Sequence, residues 1–146
     1  MKICLVCSHG GHLTEILHLE EAFEGHETFF ITYDSPRTRT LGHKYLLKNI
    51  GTDPLVMAQA FFSIFRILRK EKPRLIISTG AEIAIPAFYL AKLLRIKTIF
   101  IESWTRVDQP TGTGKIVYPC SDVFLVQWQQ LLAKYGKKAM YNGAIL

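Results

Sequence analysis

The chain has 146 residues, of which 49% are hydrophobic, 12% aromatic and 21% charged, and its formal net charge is +6. That length suits one domain with a sizeable core and argues against a two-domain enzyme, and the apolar and aromatic content excludes a disordered chain. No uncharged run exceeds twelve residues, as in 54–65, whereas a membrane-spanning helix needs about 18–20 apolar residues.

Taken in chain order, a strand over residues 2–7 comes first. Cys4 and Cys7 fall within it, where an offset of three puts side chains on opposite faces, so their spacing points to neither a metal nor a redox pair. The strand follows a single Lys and runs into Ser8-His9-Gly10-Gly11-His12, without a signal peptide's long apolar core, which leads us to expect an intracellular protein. A helix over 13–24 and a strand over 27–33 follow. Residues 1–34 hold one basic and six acidic side chains, but residues 35–100 hold twelve basic and three acidic ones, a net of +9. So basic a segment points to phosphate-bearing partners: anionic lipid head groups, a diphosphate or nucleic acid. It contains a helix over 56–70, a strand over 74–78 and a helix over 83–94. The last is apolar nearly all round, with small Ala84, Ala87 and Ala91, and with Pro86 in its first turn. Strands over 97–101 and 122–126 and a helix over 128–135 complete the series. The apolar tail over 140–146 is suited to docking on this domain or on a partner.

Alternating strands and helices, with near-continuous apolar strands such as Leu75-Ile76-Ile77, predict an open doubly wound parallel sheet of Rossmann-like α/β class, as a single domain over 1–146. In such sheets ligands sit outside the carboxyl ends of the strands, at loops that lead into helix N-termini. Those loops are Ser8–His12, Thr79-Gly80-Ala81-Glu82, Glu102-Ser103-Trp104-Thr105-Arg106 and Gln127-Trp128. Gly10-Gly11 permits close backbone approach to an anion, or simply makes a tight turn. The spacing is not that of a dinucleotide fingerprint, and Gly112-Thr113-Gly114-Lys115 lacks the first glycine of a phosphate loop. At a helix start the dipole disfavours the imidazolium form of His12, which suits a general base, or the residue caps or packs. Glu82 and Glu102 each close a strand and are placed to converge on one crevice and to orient a sugar hydroxyl or take its proton; alternatively Glu82 caps its helix.

On the 56–70 helix, Met57, Ala60, Phe61, Ile64, Phe65, Ile67 and Leu68 fill one half of the wheel. Arg66, Arg69 and Lys70 lie opposite, with Phe62 among them, an arrangement suited to an anionic membrane surface or to an ordinary amphipathic helix with one stray Phe.

Ser8-His9-Gly10-Gly11-His12-Leu13-Thr14-Glu15, Thr79-Gly80-Ala81-Glu82-Ile83-Ala84-Ile85-Pro86, Ile101-Glu102-Ser103 through Arg106, and Tyr118-Pro119 with Asp122 and Val126-Gln127-Trp128 together resemble one family. It is the acceptor-side subunit of split glycosyltransferases: the membrane-recruiting subunit of the UDP-N-acetylglucosamine transferase that makes chitobiosyl-diphosphodolichol, with bacterial relatives in capsule and exopolysaccharide synthesis. The resemblance covers about residues 1–143 and implies the N-terminal half of a GT-B glycosyltransferase, most of the UDP-sugar being held by a separate donor-binding chain. It implies inverting transfer of N-acetylglucosamine or another hexose to a polyprenyl- or dolichyl-diphosphate-linked sugar, at the cytoplasmic face of the membrane. The eukaryotic subunit carries an N-terminal membrane helix, whereas here the first strand begins at Lys2, so the α-helical surface at Phe62, Arg66, Arg69 and Lys70 is expected to attach the protein peripherally.

By the same resemblance His12 is the base and Glu102 an orienter or alternative base. Ser8, Gly10, Gly11, Thr79, Gly80, Glu82, Ser103 and Arg106 face the acceptor and its diphosphate. No cofactor and no metal are expected, as the chain has no Asp-x-Asp. A non-catalytic docking scaffold for a complete partner enzyme is the alternative. Nucleic acid is not the expected partner, because few aromatics are interleaved with the Lys and Arg residues.

Overall fold

The computed structural model describes residues 1–145, and the notion of an apolar tail ending at Leu146 therefore lies partly outside the described residues. Seven strands form one sheet: β1 (Lys2–Val6), β2 (Glu27–Tyr33), β3 (Lys44–Leu47), β4 (Leu75–Ser78), β5 (Lys97–Ile101), β6 (Val123–Val126) and β7 (Ala139–Tyr141). Every pairing is parallel, in the order β3-β2-β1-β4-β5-β6-β7. The chain winds outward from β1 to β3, returns through a long helix to place β4 beside β1, and winds outward again to β7. The exits of β1 and β4 therefore diverge at a topological switch point, where doubly wound sheets form their ligand crevice.

Four α-helices join the strands: α1 (Gly11–Leu17), α2 (Pro54–Glu71), α3 (Ala84–Leu94) and α4 (Gly112–Val117). The start of α2 follows from its sequence. Asp53 caps it by accepting from Leu55 N at 2.9 Å, and Pro54 occupies the first turn, where no intrahelical donor is lost. Val56, Ala60, Ile64, Ile67 and Leu68 bury its inner face, with Met57, Phe61 and Phe65 packed partly against the same core. That core lies under α2, α3 and α4, and a second one lies under α1 on the other face of the sheet. Cys4 belongs to the first and Cys7 to the second, so the two thiols do sit on opposite faces. Burial pushes the Cys7 thiol up to about 12.

Several boundaries differ from the sequence expectation. The helix expected over 13–24 stops at Leu17, and a 3-10 turn over Glu20–Phe23 takes its place, tightened by Ala22 N donating to Leu19 O at 2.9 Å; this swings Phe23 into the second core. The helix expected over 128–135 is likewise a 3-10 turn, Gln129–Ala133, just long enough to bury Leu131. Strands β3 and β7 are short edge strands with no fully buried residue, so their apolar pattern is faint. Helix α4 holds two glycines in six residues and has almost no intrinsic propensity; a distant carboxylate holds it, as described below.

The outer end of α2 is pinned to the sheet through Glu71. It accepts from the Tyr45 hydroxyl and from Lys2 Nζ at 3.0 Å, and lies 3.1 Å from His43 Nε2. The Tyr45 hydroxyl first, then Lys2 and His43, hold its carboxyl down at about 2. A depressed acid stabilises the fold fully above its unfolded value and loses that contribution as pH falls through the folded one. Urea unfolding midpoints should thus fall as pH drops from about 4.5 toward 2, and Glu71→Gln should lose about 1–3 kcal/mol at pH 7 and flatten this acid limb.

Candidate functional site

The β1 exit turns directly into α1, with Gly10 in the cap position and its carbonyl accepting from Leu13 N at 3.1 Å. A Cβ built on Gly10 or Gly11 meets nothing within 4 Å, so the backbone here faces open space. Ser8 is half-buried at the end of β1, and His9 is exposed near the Tyr33 ring. Arg37, exposed beyond β2, brings its Nη1 to 3.4 Å from the Gly10 carbonyl. A guanidinium thus stands beside a helix N-terminus, both suited to an anion.

His12 is clamped from the β4 exit. Its Nδ1 lies 2.8 Å from the Thr79 carbonyl, and the Thr79 hydroxyl donates back to the His12 carbonyl at 2.6 Å. A carbonyl only accepts, so this bond places the proton on Nδ1 and leaves Nε2 as the basic nitrogen of the neutral ring. Gly80, at φ +129°, packs flat on the imidazole: a Cβ there would lie 2.7 Å from Cε1 and 2.9 Å from Nδ1. No other residue fits so close to the ring without displacing it.

One cavity of about 200 Å³ opens beside this pair, lined by Gly11, His12, Glu15, Ser103, Thr105, Arg106 and Thr111. The structure therefore gathers His12, Gly11, Ser103 and Arg106 in one place and sets Thr79 and Gly80 behind the imidazole. It also adds Glu15, which sequence reading passed over as one more acid of an acidic segment. Glu15 stands three residues after His12, hence on the same helical face, and is buried. Its Oε1 accepts from the Ser103 hydroxyl at 3.1 Å and Trp104 N at 3.2 Å, and its Oε2 from Gln127 Nε2 at 3.1 Å. Burial pushes the Glu15 carboxyl up, against the opposing pull of the Trp104 amide, the Ser103 hydroxyl, His12 and Gln127. This carboxylate ties α1 to the exits of β5 and β6. The i, i+3 spacing from His12 was the signal that could have found it.

The two carboxylates expected to converge do not meet. Glu82 accepts from the Tyr33 hydroxyl at 2.9 Å and belongs to the β2 side of the switch point. Glu102 is 1% exposed and lies outside the cavity lining. Its Oε1 accepts from Ser103 N and the Thr111 hydroxyl, both at 2.9 Å; its Oε2 accepts from Thr111 N at 3.1 Å and from the Tyr135 hydroxyl. Thr111 in turn caps α4 by accepting from Gly114 N at 2.9 Å, and a Cβ at Gly114 would clash with Glu102 Oε2 at 2.5 Å, so only glycine lets the helix approach the carboxylate. With both oxygens engaged and no opening to the cavity, Glu102 anchors α4 and Tyr135 and is not positioned to touch a substrate. This is a correction to its expected role, and burial makes the reason plain: a charge at the centre of the sheet edge needs all of its acceptor sites filled. Among the described residues no group of three His, Cys, Asp or Glu side chains is placed to hold a metal ion.

The seven-stranded parallel sheet and its helices have a Rossmann-like fold close to that of GT-B glycosyltransferase N-terminal domains. The structure superposes on Acinetobacter baumannii MurG with a TM-score of 0.80 at 16% identity, over 97% of this chain and 46% of MurG. It also superposes on the UDP-GlcNAc 2-epimerase of Methanocaldococcus jannaschii, with a TM-score of 0.74 at 13% identity over 97% and 45% of the two chains. The family described as "Oligosaccharide biosynthesis protein Alg14 like" matches residues 20–145, and the chain belongs to it. The human UDP-N-acetylglucosamine transferase subunit ALG14 is 33% identical across the whole of this chain and 83% of its own length. The Candida albicans subunit is 32% identical over 73% of this chain and 49% of its own, and that of Debaryomyces hansenii 35% over 75% and 48%. The chain thus spans about half the length of these fungal relatives.

Glu15→Gln puts an amide NH₂ among three donors, so it should lower stability by about 1–3 kcal/mol in urea unfolding, and Glu102→Gln should do the same.

Proposed function

We propose that this chain is the acceptor-side subunit of a two-chain glycosyltransferase. It would act on a UDP-sugar held by a donor-binding partner and on a polyprenyl- or dolichyl-diphosphate-linked sugar held at the β1 and β4 exits. The observation that supports this most is the His12 clamp: an imidazole held through Nδ1 by the Thr79 carbonyl with its Nε2 left free, beside open glycine amides and two arginines. Membership of the family, whose relatives are named as UDP-N-acetylglucosamine transferase subunits, supports the UDP-N-acetylhexosamine class of donor and a site completed by another chain.

In this reading Nε2 of His12 takes the proton of the acceptor hydroxyl as its oxygen attacks the anomeric carbon. A glycosidic bond forms to that oxygen, the bond from the anomeric carbon to the β-phosphate breaks, and UDP leaves with the electron pair, with inversion. The amides of Gly10 and Gly11, with Arg37 and Arg106, hold the acceptor diphosphate. Thr79 and Gly80 fix the ring, Glu15 and Ser103 fix the cavity wall, and no resident metal or cofactor takes part.

Attachment is peripheral, at the cytoplasmic membrane face, through α2. Its outward stripe exposes Leu55 (74%) and Phe62 (64%) before Arg66, Arg69 and Lys70, and the Arg66 guanidinium stands 5.8 Å from the Phe62 ring. Because α2 runs antiparallel to the strands, its apolar end lies at the same edge as the glycine turn, where a lipid-linked acceptor has to arrive.

Transfer from radiolabelled UDP-sugars to polyprenyl-diphosphate acceptors should need this chain together with a donor-binding partner. In the folded complex His12→Ala should lower kcat about 10²–10⁴-fold, and Gly80→Ala, which pushes the ring aside, should lower it too. Full activity of the partner alone would overturn the reading in favour of a docking scaffold. Phe62→Ser with Arg66→Ser should weaken co-sedimentation with phosphatidylglycerol vesicles about tenfold and leave those of phosphatidylcholine unaffected.

A further inference from the structure

A cavity larger than the one at the glycine turn lies elsewhere. It is a cleft of about 740 Å³ at the opposite edge of the sheet, where α2 and α3 end and β4 and β5 begin. Five cations line it: Arg69, Lys72, Arg74, Arg95 and Lys97. Its floor is apolar, made by Leu68, Pro73 and Ile96, and no carboxylate lines it.

Helix C-termini attract basic residues through the helix dipole, and that accounts for Arg69, Lys72 and Arg95. It does not account for Arg74, which precedes β4, or Lys97, which opens β5. Nor does it account for the absence of counter-ions: among the described residues none of the five makes an ion pair or a side-chain hydrogen bond. Nearby acids are occupied, Glu71 with Lys2, His43 and Tyr45, and Asp122 with the Thr98 amide and hydroxyl. The two cations at the helix ends also sit in left-handed backbone, Lys72 at φ 50° and Arg95 at φ 58°, positions that glycine or asparagine fills at lower cost.

We infer that this cleft binds a small soluble phosphate ester or diphosphate that carries an apolar or ring portion, at a site separate from the glycine turn. Unpaired like charges raise the energy of the empty cleft, and a multiply charged anion relieves that repulsion, while the floor takes the apolar part. The volume lies within the range of small-ligand sites. The same phosphate chemistry occurs on lipid head groups. However, this edge lies a strand length, about 17 Å, from the turn that faces a lipid-linked acceptor, and of the membrane stripe of α2 only Arg69 reaches the cleft, so the soluble source is favoured.

Calorimetric titration with inorganic phosphate, phenyl phosphate and inorganic pyrophosphate tests this on the full chain. Phenyl phosphate should bind more tightly than inorganic phosphate, and pyrophosphate affinity should fall steeply with salt. The variant combining Lys72→Asn, Arg74→Ser, Arg95→Asn and Lys97→Thr should lose more than about tenfold in affinity. Its two asparagines suit left-handed backbone, and an unchanged thermal unfolding midpoint without ligand marks it as folded; Arg95→Asn alone, a milder change, should give part of the loss. Arg106→Ser should keep this binding. No binding to the wild type, equal binding by the four-site variant, or loss on Arg106→Ser instead would overturn the inference. Loss of phosphatidylglycerol vesicle binding in the four-site variant without any pyrophosphate binding would move the site to the membrane. Displacement of pyrophosphate by a mixed oligonucleotide at much lower concentration would assign it to nucleic acid.

Discussion

A parallel sheet sends every strand exit to the same edge, and this one constraint places nearly all of the chemistry of the protein. Because β1 and β4 are neighbours whose chains leave in opposite directions along the sheet, the Gly10-Gly11 turn and the Thr79-Gly80 turn face each other across the switch point. The mutual bonds between His12 and Thr79 follow from that adjacency, and so does the fixed tautomer of the imidazole. Without the β1–β4 pairing, sixty-seven residues would separate the two partners with nothing to bring them together.

Around the clamp, buried carboxylates do structural work. Glu15 joins α1 to the exits of β5 and β6, and Glu102 holds α4 and Tyr135 to the end of β5. Each is surrounded by donors, which is how a charge persists in a sheet edge otherwise packed with apolar side chains. Glu15, Ser103 and Thr111 of the cavity lining are thus held by the hydrogen bonds of these carboxylates, whereas Gly11 and Arg106 of the lining, with neighbouring Gly10 and Arg37, are exposed.

Charge is divided between the two edges of the sheet. The exit edge holds its arginines singly, near amides that they assist, whereas five cations crowd the opposite edge with no acid among them. The excess of basic residues over 35–100 is thus not spread over one electropositive face. Much of it lies on the outward stripe of α2 and in a cleft that the sequence pattern did not suggest, since its five members come from two stretches of chain about twenty residues apart.

Local sequence was enough for the α/β class, for five of the seven strands and for the body of α2, because apolar periodicity is a short-range signal. It was also enough to single out the strand exits and, within them, His12, Gly10, Gly11, Ser103 and Arg106, because strand ends and glycine turns can be read along the chain. Edge strands β3 and β7 escaped, since half-buried residues show no clear alternation, and α4 escaped because a carboxylate ten residues before Gly112, reaching it through Thr111, supplies the stability its glycines lack. The roles of the acids were decided only by tertiary structure. Glu82 turned toward Tyr33, Glu102 was sealed, and Glu15 moved to the cavity wall, because the direction in which a side chain finds its donors depends on neighbours that sequence order does not reveal.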